Sequence, residues 1–142
     1  MAVKKLLHGS AAETEAAFYD AINRADIDGL MALWAEEEDI TCIHPGAPRL
    51  VGHAAIRASW SAIFERGGIR IRPLQLHATH NLMSAVHSII EEIQRRQDDE
   101  REIHILCTNV YVNTPHGWRI VTHHASVAPG PAPTAPAPAM LH

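Results

Sequence analysis

Histidine carries the conspicuous chemistry of this chain. Residues 39–56 read D-I-T-C-I-H-P-G-A-P-R-L-V-G-H-A-A-I, an apolar strand that runs into His44 at a Pro-Gly turn. An imidazole at a strand end can reach into whatever the strand covers, and its ordinary pKa of ~6.5 makes it a competent acid or base near neutral pH. A second run, G-W-R-I-V-T-H-H-A-S-V over 117–127, places His123 and His124 next to each other, hence on opposite faces of a strand. The chain holds 11 histidines, enough to raise the question of a metal. No H-x-x-x-H falls on a predicted helix, and His77 with His80 sits at a strand end without a recognisable ligand frame, so neither a metal nor another cofactor is expected. The acidic run Glu36-Glu37-Glu38-Asp39 reads as a solvated helix end. Cys42 and Cys107 fall inside apolar runs without C-x-x-C spacing, which predicts two buried free thiols.

The elements that must position these groups fall into helices followed by strands. Ala17, Phe18, Ala21 and Ile22 recur at helical spacing over 11–25, with Ser10 as cap and Glu13 as its capping-box partner. A shorter helix over 27–35 turns Ile27, Leu30, Met31 and Trp34 to one side behind Asp26. A first strand over 40–44 leads through Pro45, Gly46 and Pro48 into a brief strand at 49–51. The third helix, 53–66, shows Ile56, Trp60, Ile63 and Phe64 on one side and stops at Gly67-Gly68. Strands follow at about 69–77, 82–94, 102–113 and 118–127. Short polar turns join them at His80-Asn81, at Asp98-Asp99-Glu100 and at Thr114-Pro115-His116-Gly117, which suits an antiparallel meander. This order predicts an α+β domain with helices on one face of a curved sheet.

Composition sets the outer limits. The 142 residues suit one domain, divided here into an N-terminal extension (1–10), the folded domain (11–128) and a Pro/Ala-rich tail (129–142) expected to be extended. Net charge is -4 with 12 Lys+Arg spread thinly, so nucleic acid is not an expected partner. The apolar run after Lys4-Lys5 is too short for a signal peptide or a membrane span, which predicts a cytoplasmic protein with no membrane partner.

The segment F-Y-D-A-I-N-R-A-D-I-D-G-L-M-A-L-W-A-E-E-E-D-I-T-C-I-H-P-G, the G-H-A-A-I helix start and the closing G-W-R-I-V-T-H-H-A-S resemble the nuclear transport factor 2-like superfamily, in its SnoaL-like and ketosteroid-isomerase-like branch. The resemblance covers about residues 13–128. It implies a cone-shaped antiparallel sheet of the cystatin-like kind with three helices on its concave face. The superfamily hosts isomerases, dehydratases, epoxide hydrolases, cyclases and non-catalytic binding proteins, so the fold implies a pocket rather than a reaction. Laid on the ketosteroid isomerase pattern, Phe18 stands where a tyrosine belongs, His44 where the base belongs, and Thr108 near the late-strand acid. Phe18 has no donor and Thr108 is not an acid, which speaks against steroid-type isomerisation.

These readings converge on a cone lined by Phe18, Trp34, Cys42, His44, Trp60, Phe64, Thr108, Val110, Thr122 and His124. In an enzyme of the isomerase or lyase kind, His44 is the expected general base or acid. His124 would orient it or polarise a carbonyl, with Thr108 and Thr122 donating hydrogen bonds. No buried carboxylate is evident to complete such a site. The alternative is a non-catalytic ligand-binding or assembly domain. Either way the expected partners are a small, largely apolar organic molecule and a second copy of the chain. That copy would dock on a convex face carrying His87, Ile89, Ile105, Tyr111 and His123.

Overall fold

Ser10 opens the first helix, α1 (Ala11–Asn23), as its spacing with Glu13 predicts: the hydroxyl accepts from the Glu13 N–H at 3.1 Å, and the Glu13 carboxylate reaches back to the Gly9 N–H at 2.9 Å. The structure is a computed structural model that describes residues 9–94 and 103–129. Most of the proposed N-terminal extension and tail, and the acidic turn Asp98–Glu100, lie outside the described residues. Asp26 caps α2 (Ile27–Met31) by accepting from the Gly29 N–H at 3.0 Å. This helix stops four residues earlier than its apolar stripe suggests, because the chain after it turns to pair with the sheet: Leu33 and Ala35 exchange backbone hydrogen bonds with Ile120 at 2.9 Å. The third helix, α3 (His53–Glu65), ends where Gly67 and Gly68 take up left-handed backbone, φ 107° and 73°.

Six strands form one curved sheet in the order β2-β1-β6-β5-β4-β3. They are β1 (Thr41–Ile43), β2 (Leu50–Val51), β3 (Arg70–His80), β4 (Ser84–Gln94), β5 (Ile103–Thr114) and β6 (Gly117–Val127). The meander β3 to β6 is antiparallel throughout, and β1 adds parallel to β6 with Cys42 opposite His123. Two irregularities matter. Strand β3 bulges between Leu74 and His77, with Gln75 at φ 51°. In β6, Tyr111 faces Ile120 while Val110 faces Thr122, so Val121 is an extra residue that reverses the inward alternation.

The core lies between helices and sheet: Phe18, Tyr19 and Ile22 of α1, Leu30, Trp34, Ile56 and Trp60 pack over Cys42, Ile89, Ile105, Cys107, Tyr111 and Ile120. Both cysteines are buried and free, as their apolar settings predict. No helix of the described residues is long and apolar enough to cross a membrane.

Candidate functional site

Phe18 sits at the centre of the concave side. Its ring lies edge-on to Tyr19, Trp34 and Trp60 at centroid distances of 5.3, 6.3 and 6.0 Å, and 5.3 Å from His123. Trp60 extends the cluster outward to Phe64 at 6.0 Å and to His44 at 4.8 Å. His44 and Phe64 are half-buried, as are Ser59 and Ile63. The aromatic cluster is thus sealed at Phe18 and open at the edge where His44 stands. Of the residues expected to line the cone, the structure brings together Phe18, Trp34, Cys42, His44, Trp60 and Phe64.

The other four are elsewhere. Thr108, Val110, Thr122 and His124 lie on the outer face of the sheet, where Thr108 pairs with His124 and Val110 with Thr122. On β6 the cause is the Val121 bulge, which turns His123 inward where unbroken alternation from Ile120 would turn His124. On β5 the inward residues are Ile105, Cys107, Asn109 and Tyr111. The residue beside the expected late-strand acid that faces inward is therefore Asn109. The same inversion overturns the expected convex docking face: His87, Ile89, Ile105, Tyr111 and His123 are all buried against the helices.

What the inward faces bring together is a polar network that crosses the core. Tyr19 Oη donates to Glu91 Oε2 at 2.6 Å and accepts from Asn109 Nδ2 at 3.0 Å. Asn109 Oδ1 accepts from His123 Nδ1 at 2.7 Å and from Cys107 Sγ at 3.3 Å. Since Asn109 Oδ1 can only accept, His123 carries its hydrogen on Nδ1. Burial first, then the neighbouring imidazoles His44 and His124, holds His123 neutral with a pKa lowered to about 3. Burial likewise pushes the Glu91 carboxyl above the usual carboxylate range, although the Tyr19 hydrogen bond opposes it. A second group stands beside the first: Glu15 Oε2 lies 2.8 Å from His87 Nδ1 and accepts from Tyr111 Oη at 2.6 Å. Two carboxylates, Glu15 and Glu91, are therefore buried where the sequence reading found none. For Glu15 the signal was present, since Glu15, Phe18, Tyr19 and Ile22 share the i, i+3, i+4, i+7 spacing of one helix stripe. Glu91 shares the alternation of His87 and Ile89, which only the sheet's orientation assigns to the inside.

At the open edge, His44 Nε2 lies 3.0 Å from Ser59 Oγ, whose hydroxyl also bonds the Ile56 carbonyl at 2.9 Å. Burial lowers the His44 pKa from its ordinary value, so the neutral imidazole predominates at neutral pH. Cys42 Sγ lies 3.8 Å from the same Nε2, and burial pushes that thiol up to about 12, which leaves it a poor nucleophile.

The SnoaL-like domain family matches residues 12–130. No curated protein matches the chain. Among solved structures, a protein from Thiobacillus denitrificans provisionally named as a calcium/calmodulin-dependent protein kinase type II association domain is 33% identical, covering 87% of this chain and 98% of that one, with a TM-score of 0.80. A provisionally named dehydratase of the nuclear transport factor 2-like family from Streptomyces avermitilis is 27% identical over 84% of this chain and 94% of that one, with a TM-score of 0.76. A cystatin-like protein from Nostoc punctiforme shares the fold at 16% identity, over 87% and 96% of the two chains, with a TM-score of 0.70. With its sheet order, its three helices and a match over most of its length, the chain belongs to the SnoaL-like family of the nuclear transport factor 2-like superfamily.

Proposed function

We propose that the protein binds a small, largely apolar organic molecule at the open edge of the aromatic cluster and moves a proton on it, in a reaction of the lyase or isomerase kind. The observation that carries this reading is His44. It is a neutral imidazole, half-buried against Trp60, the ring that also carries the half-buried Phe64, and tethered to Ser59. A base needs its lone pair available at working pH and within reach of substrate, and a partly dry site strengthens its interaction with the group it deprotonates. Phe64 and Ile63, both half-buried, supply the apolar surface, with Trp60 packed behind them. The resemblance to a provisionally named dehydratase supports this class of chemistry.

A second reading is a non-catalytic ligand-binding or assembly domain, favoured by the 33% identical relative named as an association domain. In both readings we place a second copy of the chain on the outer sheet face, where Val86 and Leu106 are exposed beside Ser88, Ile90, Thr108 and Val110. Two free thiols suit a reducing compartment, and we place the protein in the cytoplasm.

The test is proton exchange. Small ketones, enols and β-hydroxy carbonyl compounds are incubated in D2O with wild type and with His44→Ala, and exchange or dehydration is followed by NMR. The expected result is that His44→Ala slows turnover by ~10²-fold or more. Wild-type activity should fall as pH drops through the His44 pKa, below ~6.5. Equal rates in the two proteins would remove His44 from the mechanism. Saturable binding without any exchange in wild type would favour the second reading.

A further inference from the structure

Behind the aromatic cluster, three adjacent strands each contribute one inward side chain to a single point. Glu91 comes from β4, Cys107 from β5 and His123 from β6, all three are buried, and their ligating atoms lie within 4.8 Å of one another. We propose that Glu91, Cys107 and His123 form a site for one Zn2+-class divalent cation, with the Tyr19 phenol beside Glu91 available for a fourth position.

The donor set is thiolate, imidazole and carboxylate, the three side-chain types that Zn2+ and Co2+ take in tetrahedral sites. Cys107 Sγ and His123 Nδ1 stand 3.4 Å apart. Two ligands at ordinary Zn–S and Zn–N lengths and a tetrahedral angle are separated by ~3.5 Å, so this edge is preformed. Tyr19 Oη lies 2.6 Å from Glu91 Oε2 and 3.9 Å from Cys107 Sγ, on the same cluster. Asn109 touches Tyr19, Cys107 and His123 together, which is the role of an outer group that orients ligands.

Charge gives the second argument. Glu91 is a buried carboxyl with no cationic side chain beside it among the described residues, and its neighbours are Tyr19, Cys107 and the second carboxylate, Glu15. A buried carboxylate in that position is costly unless a proton or a cation neutralises it. One divalent ion bound to Cys107 thiolate and Glu91 carboxylate gives a neutral site. Binding would release the Cys107 thiol proton, and the Glu91 proton where that group carries one. The His123 hydrogen would move from Nδ1 to Nε2, freeing the Nδ1 lone pair for the ion. No sequence frame announces the site, because the three ligands are brought together only by strand pairing.

Full-length, tag-free protein is loaded with Co2+ in two ways, by addition to folded protein and by refolding in its presence, and then freed of excess metal by gel filtration. The expected result is one Co2+ per chain with the near-ultraviolet thiolate-to-cobalt band and the intense visible bands of a tetrahedral ion. Cys107→Ser should abolish the near-ultraviolet band while Cys42→Ser leaves it unchanged. Glu91→Gln should weaken binding by at least ~10-fold. A wild-type protein that retains no metal by either route would show that protons alone hold the cluster and would overturn the site. Retention of the thiolate band in Cys107→Ser would overturn it equally.

Discussion

Trp60 tests whether the aromatic cluster is the structural centre it is taken to be. Its side chain is 1% exposed and meets Phe18, Phe64, His44 and His123 at ring distances of 4.8–6.0 Å. Truncation to alanine removes that contact surface and leaves a cavity between α3 and the sheet, at a cost of about 3–5 kcal/mol. With ~4 kcal/mol and a urea slope of ~2 kcal/mol/M, the unfolding midpoint should drop by ~2 M. Trp60→Phe separates packing from polarity. The indole N–H finds no oxygen or nitrogen acceptor among the described residues and faces the weakly accepting Cys42 sulphur. Removing it deletes no oxygen- or nitrogen-accepted hydrogen bond and relieves a buried unpaired donor, which offsets part of the lost volume. The phenylalanine variant should therefore cost less than ~1.5 kcal/mol. Equilibrium urea unfolding followed by circular dichroism reads both. An unchanged midpoint for Trp60→Ala, or a Trp60→Phe as damaging as the alanine, would refute the packing argument.

Three further outcomes follow from the same structure. Tyr111→Phe removes a donor to the buried Glu15 carboxylate and should cost about 1.5–3 kcal/mol in the same unfolding assay; a neutral result would mean Glu15 does not depend on it. The Cys42 thiol has its pKa raised from 9.0 to about 12 by burial, so the folded state holds this proton more tightly than the unfolded chain. Its contribution is present below pH 9 and is lost as pH rises toward 12, by up to ~1.4 kcal/mol per pH unit, and Cys42→Ala should flatten that alkaline slope in pH-dependent unfolding. For the proposed pairing of outer sheet faces, light scattering on size-exclusion chromatography should give twice 15.6 kDa for wild type and a shift toward monomer for Leu106→Lys; a wild-type monomer at micromolar concentration would refute it.

Local signals made much of the fold legible. Caps at Ser10 and Asp26, the Gly67-Gly68 stop and the turn at Thr114–Gly117 each announce themselves through backbone chemistry within a few residues. The parallel seam between β1 and β6 has no such signal, because it joins residues about eighty apart. The orientation of β5 was hidden for a different reason. In I-L-C-T-N-V-Y-V one alternation offers Cys107, Asn109 and Tyr111 and the other Leu106, Thr108 and Val110, and polarity alone favours neither. Val121 then defeats simple counting on β6, since a bulge cannot be read from period two. The place of His44 was legible because it sits at a strand end marked by Pro45 and Gly46, on a strand without a bulge. His123 was not, and the exchange of His124 for its neighbour replaces the expected pocket pair of His44 and His124 with a buried network around His123.

That network has a consequence for α1. Glu15 and Tyr19 stand one turn apart on the helix, and each is bonded to both β4 and β5: Glu15 to His87 and Tyr111, Tyr19 to Glu91 and Asn109. Apolar contacts from Phe18 and Ile22 would tolerate a slide of the helix along the sheet, because hydrophobic burial is non-directional. The polar pairs would not. A slip of one turn places Tyr19 near the partners of Glu15 and strands a buried carboxyl on β4 without a donor, at a cost of about 1–3 kcal/mol for each group left unmet. A buried network of this kind contributes little net stability against a well-packed apolar core, but it separates one helix register from the next. Since α1 also carries Phe18, the floor of the aromatic cluster, the register set by Glu15 and Tyr19 fixes the surface against which Trp60 and His44 are held.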